Sequence, residues 1–124
     1  MIINYLLFSN DNNNVTSLRL EKDQADGQFY YYASCKLQSY DSLWLRLEDY
    51  WFEIQPKTYV LDKHPTVTNL CRIGISQSQT SDVILGLVFL HNFYMIFDTE
   101  QDKIGIALHN VTKSRYLAGP PYVN

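Results

Sequence analysis

Apolar residues occur along this chain in short runs that have the length and the composition of β-strands. Aromatic and branched side chains dominate these runs, and such side chains favour strands. The pattern predicts strands over residues 29–34, 43–47, 50–54 and 58–61. Residues 15–22 fit a strand or a short helix, and the strand is favoured. The polar residues between the runs predict turns at Asp23 to Gly27 and at Glu48-Asp49.

Residues 83–108 have the most informative pattern. Val83, Ile84 and Leu85 form an apolar run that ends at Gly86, which predicts a buried strand. Residues 87–92 fit one or two helical turns, and residues 93–98 and 103–108 are apolar strands separated by a polar turn. That last pair predicts a β-hairpin. The fold class predicted from the whole pattern is mainly β with one short helix.

Composition and charge exclude several classes of function. A chain of 124 residues forms one small domain at most, and its net charge of −3 without a basic cluster argues against a nucleic-acid partner. No apolar run approaches the length of a membrane span, so no membrane partner is predicted. His64, His91 and His109 lack metal-ligand spacing, so we predict no metal site and no cofactor. The carboxylates of Glu48, Asp49 and Glu53 are predicted to be solvated around a hairpin turn.

An ordered series of motifs in residues 84–107 resembles the C-terminal signature of the pepsin-like aspartic endopeptidases. The series is Ile84-Leu85-Gly86, Phe89-Leu90, Phe93-Tyr94, Phe97-Asp98 and Ile104-Gly105-Ile106-Ala107. Upstream, Phe52 to Leu61 is similar to a hairpin of the family's C-terminal lobe. The resemblance therefore implies a partial pepsin-like C-terminal lobe over residues 23–109, an unmatched segment at 1–22 and a C-terminal tail at 110–124.

The resemblance also bears on the cysteines and on one pocket residue. Cys35 and Cys71 bracket a segment similar to the family's disulfide loop, which implies a bridge, although two unrelated buried thiols are the alternative. By the same resemblance, Ile84 helps to wall the primed side of the substrate cleft.

The motif on which the family's chemistry depends does not occur in this sequence. Two aspartates, each in an Asp-Thr/Ser-Gly turn, share a proton and activate a water molecule in these enzymes. The chain contains neither Asp-Thr-Gly nor Asp-Ser-Gly. The nearest sequence is Phe97-Asp98-Thr99-Glu100, in which Glu100 replaces the glycine. These residues also occupy the position of the family's C-terminal hairpin, and not that of a catalytic turn. We therefore predict that no catalytic residue lies in this chain.

Three hypotheses about function follow. The first is a C-terminal fragment of a pepsin-like endopeptidase whose full-length parent cleaves polypeptide substrates in acid and is secreted or lysosomal/vacuolar. The second is a catalytically dead short homologue that acts as a binding or decoy module, and the third is an unrelated small β-domain. Residues 1–8 are too short, uncharged and interrupted for a signal peptide, so the chain as written is expected to remain in the cytosol. Whether the chain belongs to an enzyme is left open.

Overall fold

The computed structural model describes residues 18–76, 78, 80–119 and 121. The polar segment at 9–14 and the first residues of the strand predicted at 15–22 lie outside the described residues. The protein is mainly β, as predicted. Its strands are β1 (Arg19–Lys22), β2 (Phe29–Ser34), β3 (Leu43–Leu47), β4 (Tyr50–Ile54), β5 (Val60–Lys63), β6 (Leu70–Ile73), β7 (Phe93–Asp98), β8 (Lys103–Leu108) and β9 (Tyr116–Leu117). Its helices are α1 (Pro56–Tyr59), α2 (Leu87–Leu90) and a 3-10 helix (Leu37–Ser39).

The chain divides into two compact units, and the first comprises residues Met1–Asp41 and Tyr59–Val83. This unit contains a four-stranded antiparallel sheet in the order β1-β2-β6-β5. The predicted turn at Asp23 to Gly27 joins β1 to β2, and the Asp23 carboxylate accepts a hydrogen bond from the Ala25 amide at 2.6 Å. Gly27 closes the turn with a φ of 73°, which a residue without a Cβ adopts at little cost. The apolar core of this unit is formed by buried side chains of Tyr32, Ala33, Tyr40, Tyr59, Leu70, Cys71 and Ile73.

The disulfide implied by the family resemblance is present in this first unit. Cys35 and Cys71 are bonded, their Cα atoms are 5.0 Å apart, and 36 positions separate them along the chain. Cys35 directly follows β2, and Cys71 lies in β6 opposite Ala33. The bridge therefore joins neighbouring strands of one sheet, where the main-chain pairing already brings the two residues together.

The second unit comprises residues Ser42–Thr58 and Ile84–Asn124. It contains a three-stranded sheet in the order β3-β4-β9 and the two-stranded hairpin β7-β8. Leu43 pairs with Ile54, and Leu45 pairs with Phe52, so one face of the β3-β4 hairpin is apolar. Phe52 packs at the centre of the core against Phe89 and Phe93, with ring centroids 6.3 and 5.4 Å away. Aromatic edge contacts of this kind add to the stabilisation from burial.

The strands predicted at 29–34, 43–47, 50–54, 93–98 and 103–108 have the predicted bounds. The strand predicted at 58–61 does not, because the helix α1 occupies Pro56–Tyr59 and β5 begins only at Val60. Pro56 has a fixed φ suited to the first position of a helix, and the amide and hydroxyl of Thr58 both donate to the Gln55 carbonyl. These local bonds outweigh the strand preference of Thr58 and Tyr59, and the strand begins at Val60.

The buried strand predicted at Val83 to Leu85 is wrong. Residues 82–86 have no regular secondary structure, and the side chains of Val83 and Ile84 are 68% and 80% exposed. A strand needs a neighbour to accept and donate its main-chain hydrogen bonds. Among the described residues none pairs with this run, so its apolar composition alone does not make it a strand. Conversely, β6 and β9 were not predicted, and they form because β2 and β4 offer them free edges.

Candidate functional site

The predicted pocket residue Ile84 lies in an exposed apolar stretch before α2. Ile84 and Leu87 are 80% and 69% exposed, whereas Phe89 is only 2% exposed. The Gly86 carbonyl accepts hydrogen bonds from the Phe89 and Leu90 amides, both at 3.1 Å, so the helix begins directly after Gly86. Phe89 thereby anchors α2 in the core and leaves the preceding side chains outside it. Ile84 is available for contact with another molecule, and its role as a pocket wall stays a prediction.

Asp98 belongs to the sequence that comes nearest to a catalytic motif. Its side chain stabilises the turn at the tip of the β7-β8 hairpin. Its Oδ1 atom accepts hydrogen bonds from the amides of Glu100 and Gln101, both at 3.1 Å, and its main chain pairs with Lys103. These bonds fix the polar turn that follows the strand, as carboxylates at the start of turns commonly do. Within the described part of the chain, no three His, Cys, Asp or Glu residues are grouped so that they could hold a metal ion.

Two of the three histidines stabilise turns through their rings. The Nδ1 atom of His64 accepts from the amides of Thr66 and Val67 at 3.1 and 3.0 Å. Because Nδ1 is an acceptor in these bonds, Nε2 carries the hydrogen, and it donates to the Glu21 carboxylate at 2.5 Å. The Nδ1 atom of His109 accepts in the same way from the two amides at positions 111 and 112, at 3.1 and 3.3 Å. These interactions explain both histidines without a catalytic role.

A buried polar cluster organises the second unit, and sequence reasoning did not find it. Asn92 is fully buried at 0% exposure, directly before β7. Its Oδ1 atom accepts from the Gln55 amide at 3.2 Å and from the Ser114 hydroxyl at 2.6 Å. Its Nδ2 atom donates to the Thr58 hydroxyl at 2.9 Å and to the Val88 carbonyl at 2.6 Å. All four hydrogen-bonding positions of the side-chain amide are therefore used, as burial requires. We call Asn92, Gln55, Thr58 and Ser114 the Asn92 cluster.

Glu53 was predicted to be solvated, and this is wrong. It lies in β4 between apolar neighbours and is 5% exposed. Its carboxylate accepts from the Ser42 hydroxyl at 2.6 Å, from the Arg115 amide at 3.0 Å and from the Arg115 guanidinium at 3.2 Å. The Arg115 guanidinium also lies over the Trp44 ring, 5.2 Å from its centroid. The segment around β9 returns along β4 and covers a position that its place near a hairpin turn had predicted to be solvated.

The charge of Glu53 depends on these partners. Burial opposes ionisation of the carboxylate, but hydrogen bonds from Arg115 and Ser42 outweigh this effect and lower the pKa of Glu53 below its ordinary value of 4.5. A carboxyl group whose pKa is lower in the folded protein stabilises the fold at any pH above its unfolded value. That contribution is lost as the pH falls from 4.5 through the lower folded pKa.

We expect Glu53→Gln to lower the free energy of unfolding by about 2 kcal/mol at neutral pH, because charge-assisted hydrogen bonds are lost. The difference from the wild type should shrink as the pH falls below 4.5. Urea unfolding followed by tryptophan fluorescence measures it, since Trp44 and Trp51 both lie in the sheet that contains Glu53. The matched control is Glu48→Gln, at an exposed position of the same hairpin. A loss of stability that is equal at neutral and acid pH would contradict this account.

The sheets make this a mainly β protein, and one disulfide joins two neighbouring strands. Comparison with known proteins identifies its family. A model of the eukaryotic aspartyl protease family matches residues 4–109. The chain belongs to the eukaryotic aspartyl protease family. The match begins at residue 4, within the segment 1–22 for which sequence analysis found no counterpart, and it ends before β9.

Two curated relatives are similar to parts of this chain. Gastricsin from Rattus norvegicus is 34% identical over 84 residues, which are 62% of this chain and 20% of that protein. Aspartic proteinase yapsin-1 from Schizosaccharomyces pombe is 38% identical over 50 residues, which are 39% of this chain and 10% of that protein. The similarity thus covers a fifth or less of each relative. In the described part of the chain, no helix is both long enough and apolar enough to span a membrane.

Proposed function

We propose that this chain is the C-terminal part of a pepsin-like aspartic endopeptidase, and that it is inactive by itself. The observation that carries the proposal is the family match over residues 4–109 in a sequence that contains neither Asp-Thr-Gly nor Asp-Ser-Gly. Because this chain aligns with 20% of gastricsin and 10% of yapsin-1, the remaining length of these proteins has room for both catalytic motifs.

In the full-length parent, one aspartate of the pair is ionised and the other is protonated, since two carboxylates at such short distance cannot both ionise. The ionised aspartate removes a proton from water, and the resulting oxygen attacks the carbonyl carbon of the peptide bond. The protonated aspartate donates its proton to the carbonyl oxygen. The first aspartate gives the proton that it took from water to the amide nitrogen as the bond between carbon and nitrogen breaks. The second aspartate takes a proton back from a hydroxyl of the intermediate, and the products are an amine and a carboxylic acid. The substrate is a polypeptide, and no cofactor is needed.

The residues of this chain would contribute to substrate binding in that parent. Ile84 is the candidate for the primed side of the cleft, and its 80% exposure leaves it free to contact a peptide side chain. Phe89, which is 2% exposed, packs in the core and holds α2, the helix that begins shortly after Ile84. Ile84→Asp in the parent is a change that would alter substrate preference without removing a catalytic group.

The proposed location is secreted or lysosomal/vacuolar. The bond between Cys35 and Cys71 supports this location, because disulfides form and persist in oxidising compartments and are reduced in the cytosol.

The alternative is a catalytically dead short homologue that binds a partner or acts as a decoy. The observation in its favour is that each unit has bonded sheets and a buried core of its own, so a short product has the means to fold. Mapping the 5′ end of the natural transcript separates the two ideas. A reading frame that continues upstream into an Asp-Thr/Ser-Gly motif supports the fragment, and a transcript that starts at Met1 supports the alternative.

We expect the purified 124-residue chain to show no protease activity in acid, because its sequence has no Asp-Thr-Gly or Asp-Ser-Gly motif to supply the aspartate pair. The upstream-extended protein should cleave a denatured protein substrate in acid and be inhibited by pepstatin. Its matched control is the same extended protein with the upstream catalytic aspartate replaced by asparagine. Pepstatin-sensitive cleavage by the chain alone would refute the proposal.

A further inference from the structure

The turn between β8 and β9 contains an N-glycosylation motif, Asn110-Val111-Thr112. Asn110 is exposed at the first position of this turn. Its side chain forms no hydrogen bond with any other described residue. The second motif of this kind, Asn14-Val15-Thr16, lies outside the described residues.

The residue that stabilises the backbone of the turn by hydrogen bonds is His109, and not Asn110. The Nδ1 atom of His109 accepts from the amides of Val111 and Thr112 at 3.1 and 3.3 Å. The carbonyl of His109 accepts from the Lys113 amide at 3.0 Å. A large group on the Asn110 side chain therefore leaves every hydrogen bond of the turn in place.

Thr112, the third residue of the motif, also forms a hydrogen bond in the folded protein. The Thr112 hydroxyl donates to the Asn92 carbonyl at 3.1 Å, and Thr112 is half-buried. The motif requires a hydroxyl at this position for recognition by the transferring enzyme. Because the hydroxyl is occupied after folding, transfer to Asn110 has to occur before the turn closes on the Asn92 cluster.

The surface beside this turn is apolar. Tyr94 and Ile96 lie on the outer face of the β7-β8 hairpin and are 55% and 60% exposed. The Tyr94 ring stacks on the ring of His109, the residue before Asn110, with centroids 4.8 Å apart. A hydrophilic chain attached at Asn110 would leave the protein next to this pair.

We propose that Asn110 carries an N-linked oligosaccharide. The inference rests on the proposed function in one respect, the secretory location. In the transfer step, the amide nitrogen of Asn110 forms a bond to the anomeric carbon of the first sugar and loses one proton. The bond between that carbon and a phosphate oxygen of a polyisoprenyl-pyrophosphate-linked oligosaccharide breaks, and the lipid pyrophosphate leaves.

The test directs the full chain into the endoplasmic reticulum of a eukaryotic cell with an added cleavable signal sequence. The readout is the change in gel mobility after treatment with peptide N-glycosidase, and peptide mass spectrometry locates the modified asparagine. We expect Asn110→Gln to abolish the modification at this site. Asn14→Gln and Thr112→Ser should keep it, because the Thr112→Ser chain retains the motif and the hydroxyl that donates to Asn92.

One result would overturn the proposal. It is an unmodified Asn110 in a chain whose Cys35–Cys71 bridge has formed, because that chain has entered the oxidising compartment. This result does not touch the protease proposal, which is tested separately by the acid activity of the upstream-extended protein.

Discussion

Removing the bond between Cys35 and Cys71 is expected to lower the free energy of unfolding of the first unit by about 4 kcal/mol. The estimate comes from the loop entropy of the unfolded chain for a separation of 36 residues. This loss is large compared with the total stability of a small domain, which is typically about 5–15 kcal/mol. We therefore expect the sheet β1-β2-β6-β5 to lose most of its protection once the bridge is gone.

The measurement is amide hydrogen exchange of β2 and β6 in the presence and absence of a thiol reductant. Exchange is suited to this unit because both tryptophans of the chain, Trp44 and Trp51, lie in the other one. The double variant Cys35→Ala/Cys71→Ala is the control, since it should exchange rapidly with or without reductant. Equal protection of the wild type in both conditions would show that the bridge contributes nothing to this sheet.

Replacing Asn92 by alanine is expected to destabilise the second unit by about 3 kcal/mol. The change leaves the Gln55 amide and the Val88 carbonyl without their partner in a site that is closed to water. It also removes one hydrogen bond from each of the Thr58 and Ser114 hydroxyls. Each buried group that loses its hydrogen bond costs about 1–3 kcal/mol, although neighbours relax and the costs are not additive. The Asn92 cluster also connects the segment before β9 to the rest of the unit, so its loss should loosen β9 as well.

Urea unfolding followed by tryptophan fluorescence measures this change directly, because Trp44 and Trp51 lie in β3 and β4. Asn110→Ala is the matched control in unglycosylated bacterial protein, since Asn110 is exposed and bonds to no described side chain. That control should stay within about 0.5 kcal/mol of the wild type. If both variants unfold at the same urea concentration, the Asn92 cluster has no role in stability.

Local patterns were sufficient for the hairpins. The alternation in residues 43–54 and 93–108 predicted β3, β4, β7 and β8 with their bounds, because each pairs with its neighbour along the chain. The same reasoning failed for Val83 to Leu85. Apolar composition is compatible with a strand, but a strand also requires a partner, and no local signal says whether a partner is present.

The residues missed by sequence reasoning are those whose partners are distant along the chain. Glu53 lies close to a hairpin turn, where a carboxylate is expected to be solvated, and only the return of Arg115 encloses it. The burial of Asn92 was missed for the same reason, because its partners lie at positions 55, 58, 88 and 114. A polar residue gives no sign in its own sequence context of whether it will be buried.

The sequence by itself determined the mainly β class, the family resemblance with the disulfide that it implies, and the lack of an Asp-Thr/Ser-Gly motif. These follow from side-chain order along short segments, which is all that a sequence shows directly. Only the tertiary structure decided that Glu53 and Asn92 are buried, that β9 pairs with β4 and that Ile84 is exposed. These features depend on which segments contact one another in the folded protein, because burial results from tertiary contacts and not from the identity of one residue.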